Sequence, residues 1–264
     1  VPPATNPQQV QAQDIDQVLA ALAGIVAQAR SAGSALGYFP ALYRQVTLQV
    51  RAAIAQGLFD DGPRMARLDT AFANRYLAAH AAFRAGSAGA ATLSRCWSFA
   101  FTAVQSDHLI ILQNLLLGIN AHINFDLPIA TAETVPGDAI SGVQGDFDRI
   151  NRILGGLLPA VERVIGRFSP TLGLLDQVGG RSEEEVLNFS LDAAREDSWL
   201  QALTLARLPQ AAWEPALRSR DRQVTVLARL IAEPGGFGGR AVELIRLTES
   251  LDVRAIIDAL DDLP

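Results

Sequence analysis

The chain contains no lysine; all 22 of its basic residues are arginine. That absence removes Schiff-base chemistry, Ser-Lys catalysis and a phosphate-loop lysine together. The Arg and Ala bias reads as the mark of a GC-rich genome. Cys96 is the single cysteine, so an intrachain disulfide framework and a zinc–cysteine cluster are both excluded. Beside Trp97 in an apolar run, Cys96 reads as core filler rather than nucleophile. No apolar run approaches the roughly 18–20 uncharged residues that a membrane span needs; the longest, Leu109 to Ile119, is short and carries Gln113 and Asn114. The arginines are scattered among 28 acidic residues and the net charge is −6. Nucleic-acid binding needs clustered cations, so no nucleic-acid partner is expected. No G-x-S-x-G elbow occurs, which leaves a standard hydrolase triad without support. Gly236-Phe237-Gly238-Gly239-Arg240 follows no strand and lacks the third glycine of a dinucleotide loop. The opening Val1-Pro2-Pro3-Ala4-Thr5-Asn6-Pro7 has no signal-peptide pattern, and the expectation leans towards a cytoplasmic protein. Its oligomeric state is left open.

What is present is helical periodicity, which predicts an all-α, single-domain multi-helix bundle. Residues 1–12 are expected to form an arm and residues 13–264 one helical domain, with a core bundle over 13–208 and C-terminal helices over 210–261 packed on it. Helices are expected at Ile15 to Ala32, at Pro40 to Leu58, and from the Asp60-Asp61-Gly62-Pro63 turn to Arg84. A long fourth helix is expected from Thr92 to Phe125, stopped by Pro128. Residues 130–142 read as loop, and a further helix begins near Gly145. Ser182-Glu183-Glu184-Glu185 is a capping box opening a helix to Leu208, followed by helices over 210–232 and 239–261.

The chemically pointed segment is Asn120-Ala121-His122-Ile123-Asn124-Phe125-Asp126-Leu127-Pro128. His122 and Asp126 stand at i, i+4, on one helix face, where they can bind one ion or exchange one proton. Gly118, one turn earlier, admits close approach of another backbone or a ligand. Asn120 and Asn124 form a second i, i+4 pair. Such a cluster at the end of an apolar helix needs partners. Those partners are either each other, as a structural lock, or a ligand.

The third predicted helix offers the facing residues. Met65, Asp69, Phe72, Tyr76, His80 and Phe83 share one face. An aspartate there is expected to be buried and to need a cation, a metal or a proton. Asp69 and His80 are about 16 Å apart along a straight helix, so a single site takes one of them. His108 is excluded from the His122 site by a similar argument, at about 21 Å. Asp146, Asp148 and Asn151 read as first-turn polar groups on the helix dipole, or as groups folding back over Asp126. Arg195, Glu196 and Asp197 read as a solvated charge run, or as a buried Arg beside Trp199.

The run Leu115 to Pro128, with Asp69-Thr70-Ala71-Phe72-Ala73-Asn74-Arg75-Tyr76, Trp97, Asp146-Phe147 and Asn151, resembles an uncharacterised bacterial and fungal family, a domain of unknown function. Gly118-x-x-x-His122-x-x-x-Asp126 is also similar to the metal-binding helix of the zinc-dependent phospholipase C and nuclease superfamily. That likeness implies His122 and Asp126 as metal ligands with Asp69 or His80 as a third. With three histidines in the chain it implies one divalent ion, zinc or iron, at most.

The expected function is that of an enzyme on a small, largely apolar substrate, working between the third and fourth helices. His122, Asp126 and Asp69 are the candidate catalytic residues. Tyr76, Asn120, Asn124, His80 and Trp97 are the candidate substrate-binding residues. With one ion the chemistry is hydrolysis; without one, a His–Asp pair suits isomerisation or cyclisation. The alternative is a non-catalytic small-molecule-binding or structural protein.

Overall fold

The computed structural model describes residues 11–106, 108–172 and 191–263, and among these no strand occurs. The α-helices are α1 (Ile15–Ala32), α2 (Tyr38–Ala55), α3 (Gly62–Arg84), α4 (Arg95–Val104), α5 (Ile111–Ala121), α6 (Leu127–Thr134), α7 (Gln144–Phe168), α8 (Leu191–Ala206), α9 (Trp213–Ala232), α10 (Gly236–Thr248) and α11 (Val253–Asp261). A π-turn, His122–Asp126, joins α5 to α6.

The first three helices start and stop for local reasons. The Asp14 carboxylate accepts from the Gln17 amide and Gly33, at φ 61°, closes α1 in the left-handed region. Pro40 lies in the first turn of α2, where its missing amide costs nothing. Asp61 caps α3 by accepting from Arg64, with Pro63 in the first turn. The turn between α2 and α3 is latched from α7. The buried Asp146 carboxylate accepts from the Asp60 and Asp61 amides at 2.8 and 3.1 Å and from Arg64 at 3.1 Å. Those donors hold Asp146 below the usual carboxylate range despite its burial. Asp146 is therefore a latch and does not fold over Asp126.

The expected long fourth helix is in fact α4, α5, the π-turn and α6. Ser94 opens α4, and the chain leaves the helix at Gln105 before α5 begins. The Gln113 side chain takes the Ile110 amide at 3.0 Å and donates to the Ile231 carbonyl of α9 at 2.7 Å. Apolar continuity through Leu109 and Ile110 conceals that break. Pro128 does not stop the chain. It sits in the first turn of α6, so the start of the expected loop over 130–142 is helix up to Thr134, and a 3-10 turn, Gly137–Val143, follows. The expected helix over 239–261 is two helices. Glu249 leaves α10 to accept the Ile111 amide at 2.8 Å and the Ser169 hydroxyl, and Asp252 then caps α11. The capping box at Ser182 lies outside the described residues.

The C-terminal helices contact the rest of the bundle. Helix α8 lies along α6, α9 crosses α4 and α5, and α11 rests on α2. The Asp221 carboxylate of α9 takes the Arg95 and Cys96 amides that open α4, at 2.9 and 2.8 Å. One continuous core runs from Val18 through Leu117 to Ile231. The expected arm is not loose at its end: Ala12 is buried, and the Asn74 side chain clamps its amide and carbonyl at 2.9 and 2.8 Å. No helix is long and apolar enough to cross a membrane among the described residues.

Candidate active site

The site is organised by the π-turn. Its closing bond runs from the Leu127 amide to the His122 carbonyl, five residues back. Pro128 carries no amide, and in a regular α-helix its ring would crowd the carbonyl of residue 124. The widened turn accommodates it. The Asn124 carbonyl, left without a helical donor, accepts from the Arg220 Nε of α9 at 2.7 Å. Arg220 is itself held by Asp197. Asn124 Nδ2 donates to Asn120 Oδ1 at 3.0 Å, and Asn120 Nδ2 donates to the Val224 carbonyl at 3.0 Å. The two asparagines thus form a lock onto α9, and neither is among the residues that line the cavity beside His122.

On the other face of the turn stands Asp126, 2 % exposed. Its Oδ2 accepts from the Trp97 indole Nε1 at 2.8 Å and lies 3.0 Å from His122 Nδ1. Its Oδ1 accepts from Arg75 Nε at 3.3 Å. Every neighbour of this carboxylate is a donor, which places the imidazole proton on Nδ1. His122 is equally buried, and its Nε2 has no hydrogen-bond partner. The ring is fixed by stacking on Phe72, with centroids 3.6 Å apart and planes 7° apart, and by Tyr43 edge-on at 4.5 Å. Burial pushes the imidazole below its ordinary range, and the bond to Asp126 offsets only part of that. The neutral imidazole, with a bare Nε2, is the resting form.

Gly118 sets the depth of the site. A Cβ there would stand 2.4 Å from the Phe39 ring. The group that approaches this glycine is a side chain, where a backbone or a ligand was expected; the same phenyl ring meets His122 edge-on at 5.7 Å.

His122 lines a cavity of about 150 Å³ enclosed by α2, α3, the π-turn, α7 and α8. A cavity of that order takes a ring-sized apolar molecule. The wall is apolar, built by Phe39, Leu42, Val46, Met65, Phe72, Ile119, Phe147, Leu154 and Leu157 among others. Among the described residues, the polar side chains Tyr43, Asp69, His122 and Arg195 interrupt it. Asp69 is half-buried as a residue, but its Oδ2 is enclosed and has no hydrogen-bond partner. Burial raises its carboxyl to about 7. The Tyr43 hydroxyl is likewise enclosed and without a partner; the Thr47 hydroxyl on the same helix donates to the Tyr43 carbonyl instead. Burial, then the charges of Asp69 and Asp126, hold the Tyr43 phenol well above its ordinary range. Arg195 lies 4.4 Å over the Phe147 ring and bonds to the Phe147 carbonyl at 3.0 Å and to Asn151. It is a buried arginine, and Phe147 connects it to Trp199 at 5.0 Å between centroids.

Of the residues expected at the site, His122 and Asp69 therefore share the cavity wall, and Asp126 backs His122. Trp97 holds Asp126 rather than a ligand. Tyr76 and Trp97 border a small void of about 20 Å³ behind Phe39, and the Tyr76 hydroxyl is buried without a partner. His80 stands off the cavity, beside Tyr76 and Phe101, and burial with Arg84 lowers it to about 4. Between the rivals Asp69 and His80, Asp69 is the one brought to His122. His108 contacts Arg246 at the surface. Tyr43 and Arg195 were not among the expected site residues. Tyr43 shares a helical face with Val46 and Val50, a spacing that places a phenol among core aliphatics.

The donor set does not fit a zinc or iron ion. Both Asp126 oxygens are taken, one by a guanidinium. Among the described residues no three His, Cys, Asp or Glu side chains gather to hold a metal. The likeness to the zinc-dependent phospholipases ends at the spacing of His122 and Asp126.

Residues 15–234 match a family of unknown function, DUF5995. No curated protein and no solved structure matches the chain.

Proposed function

The chain belongs to that family, and we propose that it is an enzyme of metal-free acid–base chemistry, moving a proton on a small, largely apolar substrate held in the cavity beside His122. The observation that carries this reading is the asymmetry of one imidazole. Nδ1 is fixed by Asp126, while Nε2 is buried and bare on a residue that lines an apolar cavity. A buried acceptor without a partner costs about 1–3 kcal/mol. A substrate proton recovers that cost. The held Nδ1–H bond stabilises the imidazolium formed when Nε2 takes the proton, the role a carboxylate plays behind a catalytic histidine. Asp69 supplies a second group that exchanges a proton near neutrality. Proton abstraction and return at two carbons of one substrate is isomerisation, and the same pair serves cyclisation.

The test is deuterium incorporation from heavy water into small apolar carbon acids: a cyclic ketone, a nitrocycloalkane and a cyclic alkene. Wild-type protein incorporates deuterium into at least one of them, and His122→Gln loses that activity by roughly 10²–10⁴-fold. No incorporation into any of the three, or incorporation that survives in His122→Gln, contradicts the reading. One observation favours a non-catalytic binding protein instead. Half of the polar cluster, Asn120 and Asn124, is consumed in a lock onto α9. A protein that retains these compounds without exchanging their protons is that alternative.

A further inference from the structure

Three residues that line one apolar cavity each carry an enclosed polar atom without a partner: Tyr43 Oη, Asp69 Oδ2 and His122 Nε2. Buried polar groups are nearly always hydrogen-bonded, so each unpaired one needs a reason. Three on a single wall have a common reason if one ligand satisfies them together. Their chemistry is unequal. Tyr43 presents a hydroxyl donor. Asp69 presents a carboxylic acid donor at and below neutral pH, since burial favours its protonated form. His122 presents an acceptor. Two donors and one acceptor complement a carbonyl oxygen and the acidic hydrogen on the carbon next to it. An alkene uses neither donor, and an alcohol, which can satisfy all three groups, offers no acidic hydrogen on carbon for the acid–base step. The wall between them is aliphatic and aromatic, and Arg195, the one cationic group among the described residues that line it, already bonds to the Phe147 carbonyl and Asn151.

We infer that the ligand of this cavity is a neutral, apolar carbonyl compound of about ring size, its oxygen held by Tyr43 and Asp69 and its α-hydrogen facing His122. This inference rests on the acid–base reading and names its substrate class. The step balances without a co-reactant. His122 Nε2 takes the α-proton, and the C–H electron pair forms a carbon–carbon double bond. The carbonyl π pair moves onto oxygen, where Tyr43 and Asp69 stabilise the developing charge and Asp69 can pass its proton to give the enol. Return of a proton from His122 to the same or a conjugated carbon, with the enol proton going back to Asp69, restores the carbonyl. Protonated Asp and Tyr donors around an oxyanion in an apolar site are an established way to stabilise an enolate, and each such donor contributes roughly 10²–10³-fold in rate.

The experiment is infrared difference spectroscopy of ¹³C-carbonyl-labelled cyclohexanone added to the protein at pH 6, with deuterium exchange measured in parallel. In wild type and in His122→Gln the bound carbonyl stretch shifts to lower frequency than in hexane. Tyr43→Phe and Asp69→Asn each lose part of that shift, and each loses about 10²-fold in exchange. A ketone that does not bind overturns the inference. So does a bound ketone whose stretch is that of the hexane solution, or one whose shift is unmoved in both variants. Exchange of the nitrocycloalkane that depends on His122, together with a ketone that is not bound, rejects the carbonyl assignment while leaving the acid–base reading intact.

Discussion

Pro128 and Arg220 are coupled through one carbonyl. Pro128 has no amide to offer the Asn124 carbonyl four residues back, and Arg220 Nε donates to it at 2.7 Å. Replacing Arg220 with methionine leaves that buried carbonyl unpaired, so stability falls by about 1–3 kcal/mol. In the double variant with Pro128→Ala, the new alanine amide recovers part of the loss. Urea unfolding of the single and double variants measures the coupling. Strict additivity would break the link between the proline and the arginine.

Gly118 and Phe39 make a second pair. Gly118→Ala drives a methyl to within 2.4 Å of the Phe39 ring, and overpacking of this kind costs about 1–3 kcal/mol. Shortening the neighbour in Gly118→Ala/Phe39→Leu relieves the clash. The double variant is therefore expected to melt above Gly118→Ala. A Gly118→Ala protein as stable as wild type would contradict the packing described.

Asp69 sets a pH dependence of known sign. An unfolded aspartate gives up its proton near pH 4, while in the native protein it is held until about 7. The native state binds the extra proton between those values, so this group's contribution is complete below pH 4 and is lost as pH rises to about 7, amounting to no more than about 4 kcal/mol. His122 acts in the opposite direction, because burial lowers it; its contribution is lost as pH falls. The other ionisable groups on the cavity wall are Tyr43 and Arg195. The difference between wild type and Asp69→Asn isolates the first effect: denaturant midpoints of the two proteins converge on Asp69→Asn being less pH-dependent between 4 and 7. Parallel curves would mean that Asp69 titrates as an ordinary carboxylate.

Asp126 is expected to matter more for chemistry than its position off the cavity suggests. Asp126→Asn keeps the shape, but its amide can donate to Nδ1 and so favour the tautomer with the proton on Nε2. Deuterium exchange into the responsive carbon acid is expected to fall by roughly 10²–10⁴-fold, with retention of that compound unchanged. Loss of retention along with rate would make Asp126 a packing residue.

How much of this was legible beforehand divides along a physical line. Local signals carried α1, α2 and α3, because caps and first-turn prolines act within a few residues. The i, i+4 spacing placed His122 on Asp126, and the apolar face of α3 placed Asp69 in the interior. What failed was decided at long range. The break before α5 is fixed by Gln113 reaching α9. The survival of helix past Pro128 depends on Arg220, 92 residues further along the chain, giving a donor that the proline lacks. Asn120 and Asn124 looked like ligand-binding groups because nothing nearby in sequence reveals that Val224 and Arg220 await them. Tyr43 and Arg195 were hidden for the same reason, since a cavity wall is assembled from five separate segments.

The most direct test of the account is a ¹⁵N–¹H correlation spectrum of His122 at pH 7, with and without added cyclohexanone. The account predicts a proton on Nδ1, a bare Nε2, and an Nε2 resonance that moves when the ketone enters. A proton on Nε2, or a bare Nε2 indifferent to the ketone, would contradict it.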